Sequence, residues 1–203
     1  MASRSRWRSR FVALALGSLS ACAEVPVSDS PREILDNQTG ATVSVVGRPL
    51  VFAHERPERA AHMRNYITLA AAAVDRGGRI EYDLIAYFWT TFDAHGLEGE
   101  PFQQRAAGLE SKPLTIAADD RRIYLQPAAA SAREAGIGSV ADFAPPHAGM
   151  PVVYATDLPT LGFLSAARHL AVLPDADDPA SAFELWADRR RALKQLVRSL
   201  NGE

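Results

Sequence analysis

The sequence predicts an α+β or mainly β domain, in which an antiparallel β-sheet or sandwich carries a short helix and a C-terminal helix packed on it. Two observations support this prediction. Pairs of β-rich segments flank short turn sequences, which is the pattern of β-hairpins. The last part of the chain instead repeats apolar residues at helical spacing, namely Leu193, Leu196, Val197 and Leu200.

The predicted domain opens with β-branched and apolar residues over 42–46, which a Gly-Arg-Pro breaker separates from a second apolar run over 50–53. Two longer strands follow, and the turn sequence 75–78 joins them because its glycines supply the positive φ that a tight hairpin needs. The second of these strands, residues 80–92, is apolar on both alternating faces in its latter half. This pattern predicts a central strand that is covered on both sides.

A second hairpin is predicted where residues 114–116 and 123–125 flank the turn 118–121. Residues 127–150 are rich in Ala, Gly, Ser and Pro, which indicates a long connection. A short helical segment is expected within this connection, over residues 131–135.

The C-terminal third is predicted to alternate strands and helices. Residues 151–155 form a strand, Asp157 caps a short helix, and residues 170–173 return as a strand that Pro174 stops. Residues 182–187 stay open at this level. They either begin a long helix after Asp178-Pro179 or form a strand, with Asp188 capping a helix from Arg189 onward.

The first 21 residues have the layout of a secretory signal peptide. Residues 1–10 contain four arginines and no acid, and an apolar run over 11–19 follows them. This run is too short to cross a bilayer, which takes about 20 apolar residues. We therefore expect residues 1–21 to be removed from the mature protein.

The apolar run ends in Leu19-Ser20-Ala21-Cys22, which resembles the lipobox of bacterial lipoproteins. The resemblance implies cleavage before Cys22 and attachment of lipid, including a diacylglycerol, to this residue. Without an Asp next to Cys22, it also implies the periplasmic face of the outer membrane. The mature part resembles uncharacterised lipoproteins common in proteobacteria, a resemblance that implies no activity. An ordinary signal peptide that leaves a free thiol is the alternative.

Three regions follow from these observations. Residues 1–21 are the signal peptide, residues 22–40 are the lipidated Cys and a flexible tether with a short helical turn over 32–36, and residues 41–203 are a single β-rich domain. Since Cys22 is the only cysteine, we expect no disulfide in the domain.

The charge of the chain changes when the leader is removed. The loss of four arginines leaves 18 Lys and Arg against 24 Asp and Glu, a net charge near −6. We therefore expect no basic stripe that could bind nucleic acid or an anionic bilayer. The expected partners are the membrane, through the lipid anchor, and another envelope protein.

The sequence contains few candidates for chemistry, and it predicts no cofactor. Asp93 and His95 follow the long central strand and are weak candidates for a metal or base–orienter pair, although both are also common turn residues. His54 and His62 lack the spacing of a zinc protease motif and are expected in a polar loop. No serine-nucleophile or dinucleotide-binding motif is present.

Aromatic residues offer the other candidate surface. Trp89 and its neighbours on the central strand could line a ligand face, but core packing accounts better for most of them. Trp186 is either a core anchor or an exposed partner contact. The leading hypothesis is a non-enzymatic, membrane-anchored envelope lipoprotein that binds a partner, and the alternative is a periplasmic hydrolase or small-ligand binder whose site is assembled from loops.

Overall fold

The computed structural model describes residues 28–37, 39–55, 64–90, 113–129, 132, 135–137, 148 and 150–203. Eleven strands in these ranges form one antiparallel sheet. They are β1 (Arg32–Leu35), β2 (Thr42–Val45), β3 (Leu50–Glu55), β4 (Arg64–Arg76), β5 (Arg79–Thr90), β6 (Leu114–Ala118), β7 (Arg121–Leu125), β8 (Pro127–Ala129), β9 (Val152–Thr156), β10 (Leu170–Leu173) and β11 (Phe183–Ala187). The two α-helices of the same ranges are α1 (Leu158–Ala166) and α2 (Arg190–Leu200).

The strand order is β7-β6-β10-β11-β3-β4-β5-β9-β8, and β7 approaches β9, so the sheet is nearly closed. β2 and β3 run one after the other along the same edge of β4. β1 pairs with β2 outside this path. The α+β or mainly β class with a C-terminal helix is therefore confirmed.

Both predicted hairpins are confirmed. β4 and β5 pair along their whole length around a turn in which Gly77 and Gly78 have φ values of 66° and 94°. The Asp75 carboxylate accepts a hydrogen bond from the Gly78 N–H at 2.6 Å, which fixes this turn. β5 lies between β4 and β9 and is buried over residues 83–88, as expected of a central strand. β6 and β7 form the second hairpin.

The helical turn predicted over residues 32–36 is wrong, because residues 32–35 form β1. Their partner is β2, and the preceding residues pack so closely on Gly47 that a Cβ there would overlap the carbonyl oxygens of Ser30 and Ser28. This part of the predicted tether therefore belongs to the folded sheet. Within the predicted connection 127–150, the structure adds β8, while the helix expected over 131–135 falls partly outside the described residues.

The open choice for residues 182–187 is decided in favour of a strand, since β11 pairs with both β10 and β3. Asp157 caps α1 as predicted, accepting the Thr160 N–H at 2.7 Å. At α2 the N-cap is Arg189, not Asp188. The Asp188 carboxylate instead binds the N–H and the guanidinium of Arg190, whose side chain also contacts the carbonyl oxygens of Ala167 and Arg168.

The two helices cover one face of the sheet. Leu164 of α1 and Leu193 of α2 meet the sheet around a small cavity, which is also lined by Leu50, Leu69 and Leu84. Side chains alternate between the faces of a strand, so the neighbours of Leu69 on β4, which include Thr68 and Tyr66, point to the opposite face. The sheet therefore separates the helices from the side chains described next.

Candidate binding surface

Four side chains on the face opposite the helices form the candidate site, which we call the Trp186 surface: Arg64, Tyr66, Trp89 and Trp186. Arg64 and Tyr66 lie at the start of β4, and Trp89 lies at the end of β5, directly opposite Tyr66 in the register. Cross-strand partners point to the same face, so Tyr66 and Trp89 meet. β11 brings Trp186 to this face from the far side of β3.

The inner part of the surface is a fixed aromatic pair. The rings of Tyr66 and Trp89 stack with centroids 4.2 Å apart and an angle of 12° between their planes. The indole N–H of Trp89 donates a hydrogen bond to Thr68 Oγ1 at 3.0 Å, and Thr68 is itself buried. Because Tyr66 is also buried, this aromatic pair is part of the packed sheet and is not itself available to a partner.

Trp186 forms the outer part of the surface. It lies where the register between β11 and β3 shifts, between Leu185 and Ala187, and 56% of it is exposed to solvent. A shift of this kind locally redirects side chains. The Trp186 ring meets Tyr66 edge-on, with centroids 6.3 Å apart and an angle of 77°.

The exposed indole of Trp186 contacts the guanidinium of Arg64. The guanidinium carbon of Arg64 lies 4.5 Å from the centre of the Trp186 ring, within the range of a cation–π interaction. Arg64 also donates to the Glu55 carboxylate at 2.8 Å. This hydrogen bond to Glu55 is the main reason that the pKa of Arg64 is raised above its usual value, and the guanidinium is a cation at physiological pH.

Tyr66 and Trp186 differ in exposure although they touch. An exposed tryptophan next to Arg and Tyr side chains matches the residue types that dominate the binding energy of protein interfaces. The chemistry of the Trp186 surface therefore suits recognition by apolar and hydrogen-bonding contact.

The opposite face at this end of the sheet carries a polar row. His54, Asn65 and Thr90 are cross-strand neighbours on β3, β4 and β5. His54 Nδ1 lies 2.9 Å from the carbonyl oxygen of Ala182, and Thr90 donates to the carbonyl oxygen of Arg64. The prediction that His54 lies in a polar loop is therefore wrong, because His54 belongs to β3. These contacts satisfy the polar side chains of His54 and Thr90 where the core ends.

The residues predicted as sites lie elsewhere. Cys22, Asp93 and His95 fall outside the described residues, as does His62. Within the described ranges, no group of three His, Cys, Asp or Glu side chains is placed to hold a metal ion. Of the aromatic candidates on β5, Tyr87 and Phe88 are buried in the core and Trp89 contributes to the Trp186 surface.

A buried carboxyl group at the other end of β5 was missed at the sequence level. Asp83 is only 6% exposed, and its burial, together with the nearby Glu81 charge, raises its pKa to about 6. The positive charge of Arg76 partly offsets this rise in the pKa of Asp83. Arg76 donates hydrogen bonds to Glu81 at 3.4 Å and to the carbonyl oxygen of Ala135 at 2.7 Å. Glu81 and Asp83 stand two positions apart in an otherwise mostly apolar strand, and this pattern could have indicated the buried carboxyl group.

Comparisons with known protein families, with curated proteins and with solved structures gave no match to this chain. Neither helix in the described ranges has the length and apolar character needed to cross a membrane.

Proposed function

We propose that the protein is a lipid-anchored lipoprotein of the bacterial cell envelope, and that its domain is a non-enzymatic module that binds an envelope protein through the Trp186 surface. The signal-peptide layout and the sequence Leu19-Ser20-Ala21-Cys22 support the anchor. The proposed location is the periplasmic face of the outer membrane, because no Asp follows Cys22.

The observation that carries the binding role is the exposure of Trp186 in a supported position. Tyr66 and Arg64 hold the indole on two sides, and more than half of it remains in solvent. A side chain that is already ordered loses less conformational entropy when a partner covers it. Trp186 is therefore suited to act as the central contact of an interface, with Arg64 and Glu55 supplying polar contacts beside it.

The proposed anchor limits where the partner can be. The folded part of the chain extends back at least to Ser28, six residues after Cys22. An extended chain spans at most about 3.5 Å per residue, so the tether holds Ser28 within roughly 20 Å of the lipidated residue. We therefore propose a partner in the same membrane or directly beside it.

Site-specific photocrosslinking in living cells tests the binding role. A photoreactive amino acid replaces the exposed Glu184, which lies on the same strand and face as Trp186. We expect one defined envelope protein to be crosslinked there, and we expect Trp186→Ala in the same chain to remove that crosslink. A contact of this type contributes about 2 kcal/mol or more to binding.

The matched control places the photoreactive residue at Tyr124 on β7, which is 59% exposed and thus similar to Trp186. Equal capture of the same protein from both positions, or capture that survives Trp186→Ala, would contradict the proposed surface. The anchor is tested separately by labelling cells with radioactive palmitate. Label is expected on the natural chain and is expected to be absent from Cys22→Ser.

A further inference from the structure

Helix α2 carries a basic stripe on its solvent side. Arg191, Lys194 and Arg198 are all exposed, and their spacing of three and four residues places them on one side of the helix. The opposite side is buried against the sheet through Ala192, Leu193 and Leu196. The helix also contains Arg190 and no acidic residue.

This stripe contrasts with the charge of the chain as a whole. The expectation that no basic stripe able to bind an anionic bilayer remains after removal of the leader was based on the net charge, whereas α2 carries a row of exposed basic residues. Within the described ranges, Arg191 pairs with Asp29 at 3.8 Å while its side chain stays 83% exposed. No ion pair of Lys194 or Arg198 is found in these ranges, and the sequence contains no acid between Asp188 and Glu203.

The stripe lies beside the point where the chain leads to Cys22. Asp29 bridges Arg191 of α2 and Arg48, at 3.8 Å from each. The backbone of Ser28 and Ser30 packs on Gly47 in the same region. The described chain therefore begins next to the first turn of α2, and Ser28 is six positions after Cys22 in the sequence. That length corresponds to a span of at most roughly 20 Å.

We propose that the outer face of α2 docks on anionic phospholipid headgroups of the membrane that holds the anchor. The proposal rests on the lipid anchor at Cys22, since the short tether keeps the stripe close to the bilayer. Basic side chains near an anionic bilayer are attracted to it, and this attraction falls off within about 10 Å at moderate salt. Arginine also binds phosphate groups through two parallel hydrogen bonds.

This docking would orient the domain. α2 and the Trp186 surface lie on opposite faces of the sheet. When α2 rests on the headgroups, the face that carries Trp186 is not the face in contact with the membrane. The orientation thus leaves the Trp186 surface open to a partner, whereas a freely rotating domain would present it only part of the time.

Vesicle sedimentation with the unacylated mature chain carrying Cys22→Ser tests the proposal without the anchor. We expect this protein to sediment at low salt with phosphatidylcholine vesicles that contain roughly one third phosphatidylglycerol, but not with pure phosphatidylcholine. We expect the variant Arg191→Gln, Lys194→Gln, Arg198→Gln to bind the anionic vesicles at least about tenfold more weakly. High salt should abolish the binding of both proteins.

The matched control removes three exposed arginines, one at the start of β5 and two in β7: Arg79→Gln, Arg121→Gln and Arg122→Gln. It changes the net charge by the same amount and should keep the binding of the parent protein. Equal weakening in both triple variants, or failure of the parent to bind anionic vesicles, would overturn the proposal. Absence of palmitate label on the natural chain would instead overturn the anchor, so the two failures are distinguishable.

Discussion

The rings of Tyr66 and Trp186 meet edge to face, with centroids 6.3 Å apart, yet one ring is buried and the other is mostly in solvent. Tyr66 stacks on Trp89 and is buried, whereas Trp186 contacts Tyr66 from the solvent side. This relationship separates two roles within one aromatic cluster. Tyr66 stabilises the fold, and Trp186 is available for contact.

Substitution of these two residues should therefore have unequal effects on stability. We expect Tyr66→Ala to lower the free energy of unfolding by about 3 kcal/mol, because it removes a buried aromatic ring. We expect Trp186→Ala to lower it by less than about 1 kcal/mol. Urea denaturation followed by far-ultraviolet circular dichroism measures both. A loss from Trp186→Ala as large as that from Tyr66→Ala would show that the indole is a core residue.

Asp83 should make stability depend on pH between about 4 and about 6. Its pKa in the folded protein is about 6, above the ordinary value of 3.8, because burial disfavours the charged carboxylate. Folding therefore favours the protonated form, and the stability contribution of this group decreases as pH rises through this window. Above about pH 6 the cost of ionisation is fully present.

We expect Asp83→Asn to raise the free energy of unfolding at pH 7 by about 1–2 kcal/mol, since the amide has no charge to desolvate. The gain should shrink as pH is lowered and vanish near pH 4. Urea denaturation at several pH values measures it. A constant difference between variant and natural protein from pH 4 to pH 7 would contradict the shifted pKa of Asp83.

Gly47 should be required for the packing of the chain before β1. A Cβ at this position would overlap the backbone carbonyl oxygens of Ser30 and Ser28, so we expect Gly47→Ala to cost about 1–3 kcal/mol. Gly162 in α1 is the control, because its Cβ would lie 3.9 Å from Val197, an ordinary contact. There Ala favours the helix, and a gain of about 0.5–1 kcal/mol is expected. Thermal unfolding compares the two variants, and equal shifts would disprove the close approach at Gly47.

The N-cap of α1 gives a further test. Asp157 accepts the Thr160 N–H at 2.7 Å, so Asp157→Ala should lower the free energy of unfolding by about 1 kcal/mol. Asp177 is an exposed acid in the loop between β10 and β11, and no hydrogen bond to its carboxylate is found in the described ranges. Asp177→Ala should change stability by no more than about 0.5 kcal/mol. If denaturant midpoints fall equally for both variants, the effect is one of charge rather than of capping.

The hairpins and the cap of α1 could be predicted because each depends on residues close together in the sequence. Gly77 and Gly78 supply the positive φ of one turn, and Asp119, with a φ of 51°, begins the other. Asp119 also accepts the N–H groups of Arg168 and His169, which links that turn to the segment after α1. These two hydrogen bonds join residues that are 49 and 50 positions apart, and no local sequence pattern indicated them.

β1 and β11 show where local patterns fail. Arg32–Leu35 has only four residues, and its composition also suits a helical turn; pairing with β2 makes it a strand. Phe183–Ala187 was compatible with a helix or a strand, and its two neighbours β10 and β3 decide the outcome. Short segments of this kind take the conformation that their tertiary partners stabilise.

The sequence by itself determined the mostly antiparallel β architecture, its two hairpins and the helix at its C-terminal end, because turn residues and apolar periodicity act over a few positions. Only the tertiary structure assembled Arg64, Tyr66, Trp89 and Trp186 into one surface, since β11 reaches β3 across more than 120 residues of chain. It likewise placed the basic side of α2 beside Ser28 and on the face away from Trp186. Composition averages such charges over the whole chain, whereas burial of one side of a helix fixes where they are exposed.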